Sequence, residues 1–192
     1  MSPLDLPAFS VAAKLASALD RGNIPYAIGG AIAYGIWGDP RGTHDVDLNL
    51  FVGLEELDSA LDVLEAAGLE IDRVRAHKAA AEGAELVGHY HGLRVDLFTP
   101  SIPFAWEALK SRRRVVGPSG EAAWYLSPEA TAIFKLLFFR AKDRVDLEKL
   151  VAVQLGGLDF DYVRRWVVDM MGEDDERVVF WDSVVAEQRG IA

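Results

Sequence analysis

The segment "DVDLNLFV", Asp45 to Val52, alternates polar and apolar residues with period two. The spacing predicts a β-strand with Asp45, Asp47 and Asn49 on one face and Val46, Leu48 and Leu50 on the other. Two carboxylates at i and i+2 stand side by side, and such a pair is costly in a half-buried strand unless a cation meets it. Upstream, "IPYAIGG" reads as a short strand entering a glycine turn, "AIAYGIWG" as a short buried helix starting right after it, and "GDPRGTH" as a loop. Strand, glycine turn, helix, loop and acid-bearing strand form the frame for the rest of the chain.

Residues 9–21 have helical apolar spacing, with Gly22 expected at the C-cap. "LEELDSALDVLEAAG" predicts an amphipathic helix stopped by Gly68, and "AELVGHYHGLRVDLFTP" a hairpin turning near "HG". The second hairpin strand carries Asp96 between Val95 and Leu97. "IPFAWEALKS" predicts a helix, followed by two short strands around Val115 and Trp124. From Ser127 the pattern becomes helical to the end: "SPEATAIFKLLFFRAKDRVDLEKLVAVQ" opens with Pro128 at a first turn, and "DFDYVRRWVVDMMG" and "DDERVVFWDSVVAEQ" follow. The expected class is α/β (α+β): a small mixed β-sheet core with flanking helices over 1–126, and a helical region over 127–192 packed on it.

Composition narrows the function. The 192 residues are 51% hydrophobic, enough for a real core, and no apolar run reaches membrane-spanning length. "MSPLDLPAFS" lacks the basic start and apolar centre of a signal peptide, so a cytoplasmic protein without membrane contact is expected. With no cysteine, thiolate metal sites and cysteine nucleophiles are excluded. A formal net charge of −10 argues against a broad grip on nucleic acid. The basic run "KSRRR", Lys110 to Arg114, reads as a solvated helix end or edge strand, with local polyanion binding as the alternative.

For the paired aspartates, joined by a third acid from a neighbouring strand, the fitting cation is Mg²⁺, with Mn²⁺ as a substitute. Such an ion prefers carboxylate, water and phosphate oxygens. Gly29 and Gly30, between strand and helix, let a triphosphate approach the backbone at a helix start. Arg41 and Thr43 lie in the loop before the aspartates, where they can meet phosphate or substrate, or fix the loop by pairing with Asp39 or Asp45. His44 reads as a loop residue, and His89 and His91 as alternating on a strand without further metal ligands. The five tryptophans, Trp37, Trp106, Trp124, Trp166 and Trp181, read as core or interface.

The glycine pair, the Asp-x-Asp and the later apolar-Asp-apolar strand resemble the DNA polymerase β-like nucleotidyltransferase superfamily. "IGGAIAYGIWG", "RGTHDVDLNL" and "KLLFFRAKDRVDLEKL" are similar, more narrowly, to AbiE-type and related minimal nucleotidyltransferases, several of which are toxins of toxin–antitoxin pairs. The resemblance implies that Asp45 and Asp47 bind the metal, that Asp96 is the third catalytic carboxylate, and that Lys135, with Arg140 and Lys142 behind it, approaches the nucleotide phosphates. Where many members have Gly-Ser at the turn, Gly30 is here followed by Ala31. On its own helix Lys135 either meets phosphate or snorkels to the surface.

The implied activity is transfer of a nucleoside monophosphate from an NTP to an acceptor hydroxyl of RNA, protein or a small molecule, with an antitoxin protein as a further partner. The alternative is a non-catalytic nucleotide- or partner-binding module with the same fold.

Overall fold

The computed structural model describes residues 7–117 and 120–190. The start of "MSPLDLPAFS", on which the expectation about a signal peptide rests, lies outside the described residues as far as residue 6. The chain divides into two compact units, one comprising the residues up to Ile32 with Arg41–Leu126, the other Ala33–Pro40 with the residues from Ser127 onward.

The first unit carries a seven-stranded mixed sheet among its described residues, in the order β3-β4-β5-β2-β1-β7-β6. Its strands are β1 (Tyr26–Ile28), β2 (Asp45–Leu50), β3 (Glu70–Ile71), β4 (Leu86–Tyr90), β5 (Leu93–Phe98), β6 (Arg113–Val116) and β7 (Ala122–Tyr125). β2 runs parallel to β5 and β1 parallel to β7, and the other pairs are antiparallel. Helices α1 (Pro7–Arg21), α3 (Leu57–Ala66), α4 (Arg73–Ala81) and α5 (Pro103–Ser111) belong to this unit. Helix α2 (Gly30–Trp37) begins in it and ends in the second. The apolar face of β2 is the core face: Val46, Leu48 and Leu50 are wholly buried, as the period-two alternation requires.

Three local features differ from the sequence expectation. Helix α1 ends at Arg21 with Gly22 at the C-cap, as expected, but the left-handed residue is the next one, Asn23 (φ 56°), whose amide side chain tolerates the conformation. Gly22 serves packing as well, because a Cβ there would stand 2.7 Å from Val63 Cγ2 on α3. Over 69–83, where the residue pattern predicts no element, the chain forms β3 and α4. Asp72 caps α4 by accepting from the Arg75 amide at 3.1 Å, and only Ala76 and Ala80 of the helix are buried, too small an apolar stripe to register as periodicity. Finally, His91 does not alternate with His89 on a strand. It takes φ 48° beside Gly92 (φ 82°) and forms the turn of the β4–β5 hairpin, where the sequence placed "HG". Gly68, at φ 106°, stops α3 as expected.

The second unit contains α6 (Pro128–Phe138), α7 (Ala141–Val153), α8 (Phe160–Met171) and α9 (Glu176–Gln188). Ser127 caps α6 by accepting from the Ala130 amide at 3.1 Å, with Pro128 in the first turn. The helical run from residue 128 is broken without glycine or proline. Phe139 takes φ 51°, and Asp143 restarts the helix by accepting from the Arg140 amide at 3.1 Å and its Nε at 2.6 Å. Trp181 is fully buried and donates to the Phe160 carbonyl at 3.2 Å, whereas Trp106, in the first unit, is 44% exposed and so does not belong to the core. No helix among the described residues is long and apolar enough to cross a membrane.

Candidate functional site

The sheet register assembles the acids that the sequence separates by half a hundred residues. Asp47 on β2 stands opposite Asp96 on β5, and Asp45 opposite Arg94. One strand further, Val87 faces Asp96 and His89 faces Arg94. Residues opposed across neighbouring strands share a face. Asp45, Asp47, Asp96, Arg94 and His89 therefore lie on one side of the sheet, away from the side on which Val46, Leu48, Val95 and Leu97 are buried.

Each carboxylate is held differently. Asp45 accepts from the Thr43 hydroxyl two residues before it, a contact that pins the start of the strand. Asp96, only 6% exposed, receives Arg94 Nε on both oxygens at 2.7 and 3.0 Å, and the same guanidinium reaches Glu85 Oε1 through Nη2 at 2.7 Å. Burial pushes the Asp96 carboxyl above the ordinary carboxylate range, the hydrogen bond and charge of Arg94 pull it back, and Glu85 and Asp45 push it upward again.

Asp47 is seated against the glycine turn. The Gly29 amide donates to the Asp47 carbonyl at 2.9 Å, and Gly30 (φ 53°) opens α2 directly over the Asp47 side chain. A Cβ on Gly30 would overlap the Asp47 carboxylate, and one on Gly29 would lie 2.6 Å from Asn49 Nδ2. The pair thus has a packing reason that the sequence did not disclose: a bare backbone lets the helix N-terminus, with its partial positive charge, come down on a carboxylate.

The other expected residues are distributed as follows. Thr43 is a partner of Asp45, Arg41 directs Nη1 toward the Gly42 carbonyl at 3.5 Å, and His44 is exposed. Asp39 is paired with Lys149 at 2.6 Å in the second unit. Lys135 does not snorkel. It is 6% exposed, with Nζ 2.6 Å from Asp146, 3.4 Å from Asp143 and 5.0 Å from the Tyr34 ring centroid. Its charge is balanced inside the helical unit, which removes the argument that phosphate must supply its counter-ion. Arg140 is engaged with Asp143. Arg94 and Glu85 were missed by the sequence reading, although Arg-x-Asp on a strand places both side chains on one face and was the available signal.

The donor set suits a hard divalent cation: three carboxylates from two adjacent parallel strands, and no sulfur. In this conformation, no three His, Asp or Glu side chains among the described residues stand at metal-ligating spacing.

Comparison with solved structures shows a nucleotidyltransferase-like fold. ANT(2'')-Ia in complex with adenylyl-2''-tobramycin matches with a TM-score of 0.59 at 16% identity, over 94% of this chain and 96% of that one. The solution structure of the same antibiotic-resistance factor matches at 0.55 and 15%, over 94% and 90%. An antigenic nucleotidyltransferase-like protein from Paracoccidioides brasiliensis matches at 0.54 and 20%, over 88% and 91%. The sequence matches no protein-family model and no curated protein.

Proposed function

We propose that the chain is a nucleotidyltransferase that moves a nucleoside monophosphate from an NTP to an acceptor hydroxyl, releasing pyrophosphate. The observation that carries this is the opposition of Asp47 and Asp96 across two parallel strands, with Asp45 on the same face and the Gly29–Gly30 turn closing on Asp47. Asp45, Asp47 and Asp96 would hold Mg²⁺ or Mn²⁺. When bound, the ion polarises the α-phosphoryl group, lowers the pKa of the attacking hydroxyl and offsets charge on the leaving pyrophosphate. The chain's own residues do the rest. The start of α2 receives phosphate oxygens through backbone amides, Arg41 and Thr43 border the approach, and Asp96 accepts the hydroxyl proton on a carboxylate oxygen as the acceptor oxygen bonds to the α-phosphorus and the bond to pyrophosphate breaks.

The acid excess favours a small or locally docked acceptor, and the ANT(2'')-Ia complex with adenylyl-2''-tobramycin is an example of such an acceptor on this fold. A finer placement near the AbiE-type minimal enzymes rests on "RGTHDVDLNL" and "KLLFFRAKDRVDLEKL" and adds an antitoxin protein as partner. The test is incubation with each α-labelled NTP and Mg²⁺, separately with aminoglycosides, total RNA and lysate protein, using Asp47→Asn as control. Label should move to one acceptor class and only with the native chain. No transfer under any pairing refutes the activity.

A further inference from the structure

We infer that Arg94 is a positioning residue that governs metal entry at Asp96, and that Glu85 is the seat its guanidinium takes when an ion arrives; the inference rests on the metal-dependent reading above. Asp96 is nearly buried and shares a sheet face with two further acids, so it needs a cationic partner at every stage. Arg94 supplies that partner in the structure, with Nε bonded to both carboxylate oxygens. A guanidinium on both oxygens competes directly with any ion seeking them. Displacing it therefore needs a destination, and the fork already has one: Nη2 lies 2.7 Å from Glu85 Oε1.

Both ends of the exchange are open to solvent. The side chains of Arg94 and Glu85 are 46% and 44% exposed, so the guanidinium can shift from Asp96 to Glu85 by side-chain rotation without disturbing the buried side of the sheet. Asp96 then passes from one cation to another and is never left alone among acids. Arg94 acts through Asp96 and needs no contact with the nucleotide.

The experiment is a Mn²⁺ titration of the full chain, following the free ion by electron paramagnetic resonance, for the native protein, Arg94→Gln, Arg94→Lys, Glu85→Gln and Asp47→Asn. Arg94→Gln removes the competitor and should bind Mn²⁺ about tenfold more tightly, the scale of one charge-assisted hydrogen bond no longer surrendered. Arg94→Lys, which keeps the charge but loses the fork, should fall between the two. Glu85→Gln removes the second seat and should bind severalfold more weakly. A purely structural role for Arg94 would alter stability and leave affinity unmoved. Should Arg94→Gln fail to fold, the exposed Glu85→Gln carries the test, and unaltered affinity there refutes the exchange. Native binding that is lost in Asp47→Asn but unchanged or weaker in Arg94→Gln overturns the inference alone. No saturable binding in any variant overturns the metal-dependent reading and the inference with it.

Discussion

Replacing Lys135 by alanine separates two physical accounts of one buried cation. In the structure Lys135 Nζ sits 2.6 Å from Asp146 Oδ2 and 3.4 Å from Asp143 Oδ1, and these two carboxylates are 3% and 0% exposed. Truncation takes the ammonium from between two buried anions. Asp143 keeps Arg140 Nε at 2.6 Å, but Asp146 loses its closest cation. Removing one partner of a buried ion pair costs about 3–5 kcal/mol. For a chain of this size each kcal/mol lowers Tm by ~2–4 °C, so the fall should be roughly 6–20 °C. The assay is thermal and urea unfolding followed by tryptophan fluorescence, with NTP affinity measured on the same samples. Asp146→Asn in the Lys135→Ala background should recover part of the loss, because the amide leaves no buried charge to compensate. Nucleotide affinity should be unchanged wherever the variant is folded. A variant destabilised by less than about 1 kcal/mol that no longer binds NTP would refute this account and return Lys135 to the phosphates.

Two further substitutions test the glycines. Gly30→Ala forces a side chain into φ 53° and onto the Asp47 carboxylate, so it should lose about 1–2 kcal/mol from the backbone conformation alone and also weaken Mn²⁺ binding, read by thermal melts with and without the ion. A loss of stability with unaltered metal response would detach Gly30 from the site. Gly22→Ala should cost about 1–3 kcal/mol by overpacking against Val63, and Val63→Ala should reverse much of that loss in the double variant, as measured by chemical denaturation. Additive losses would place the strain elsewhere.

The parts of this fold that could be read from the residues are those in which one physical demand fixes the pattern. β2 must alternate because one face is buried, so Asp45, Asp47 and their apolar neighbours fell on their observed faces from spacing alone. The hairpin turn at Gly92 and the arrest of α3 at Gly68 were legible because positive φ selects few residue types, whereas His91, which takes φ 48° in the same turn, reads from its type as a strand residue. Helix α4 escaped because alanine buries too little surface to mark a face. The break between α6 and α7 escaped because Phe139 adopts a conformation its type seldom takes, held by contacts that follow it in the chain.

The two cations were harder for a common reason, which is that the partner of a charge is a tertiary fact. Lys135 looked unpaired on an apolar helix because Asp143 and Asp146 lie beyond the break at Phe139, and phosphate was then the nearest available counter-ion. Arg94 went unremarked although it stands two residues from Asp96, because a strand arginine ordinarily faces solvent and Glu85 declares itself only when the β4–β5 hairpin closes. In both places the protein sets an arginine or lysine between two acids, but with different exposure. Lys135 is sealed between carboxylates that cannot leave it, which makes it part of the core. Arg94 lies at the edge of solvent with one acid on either side, and that difference in burial makes one cation a fixture and the other exchangeable.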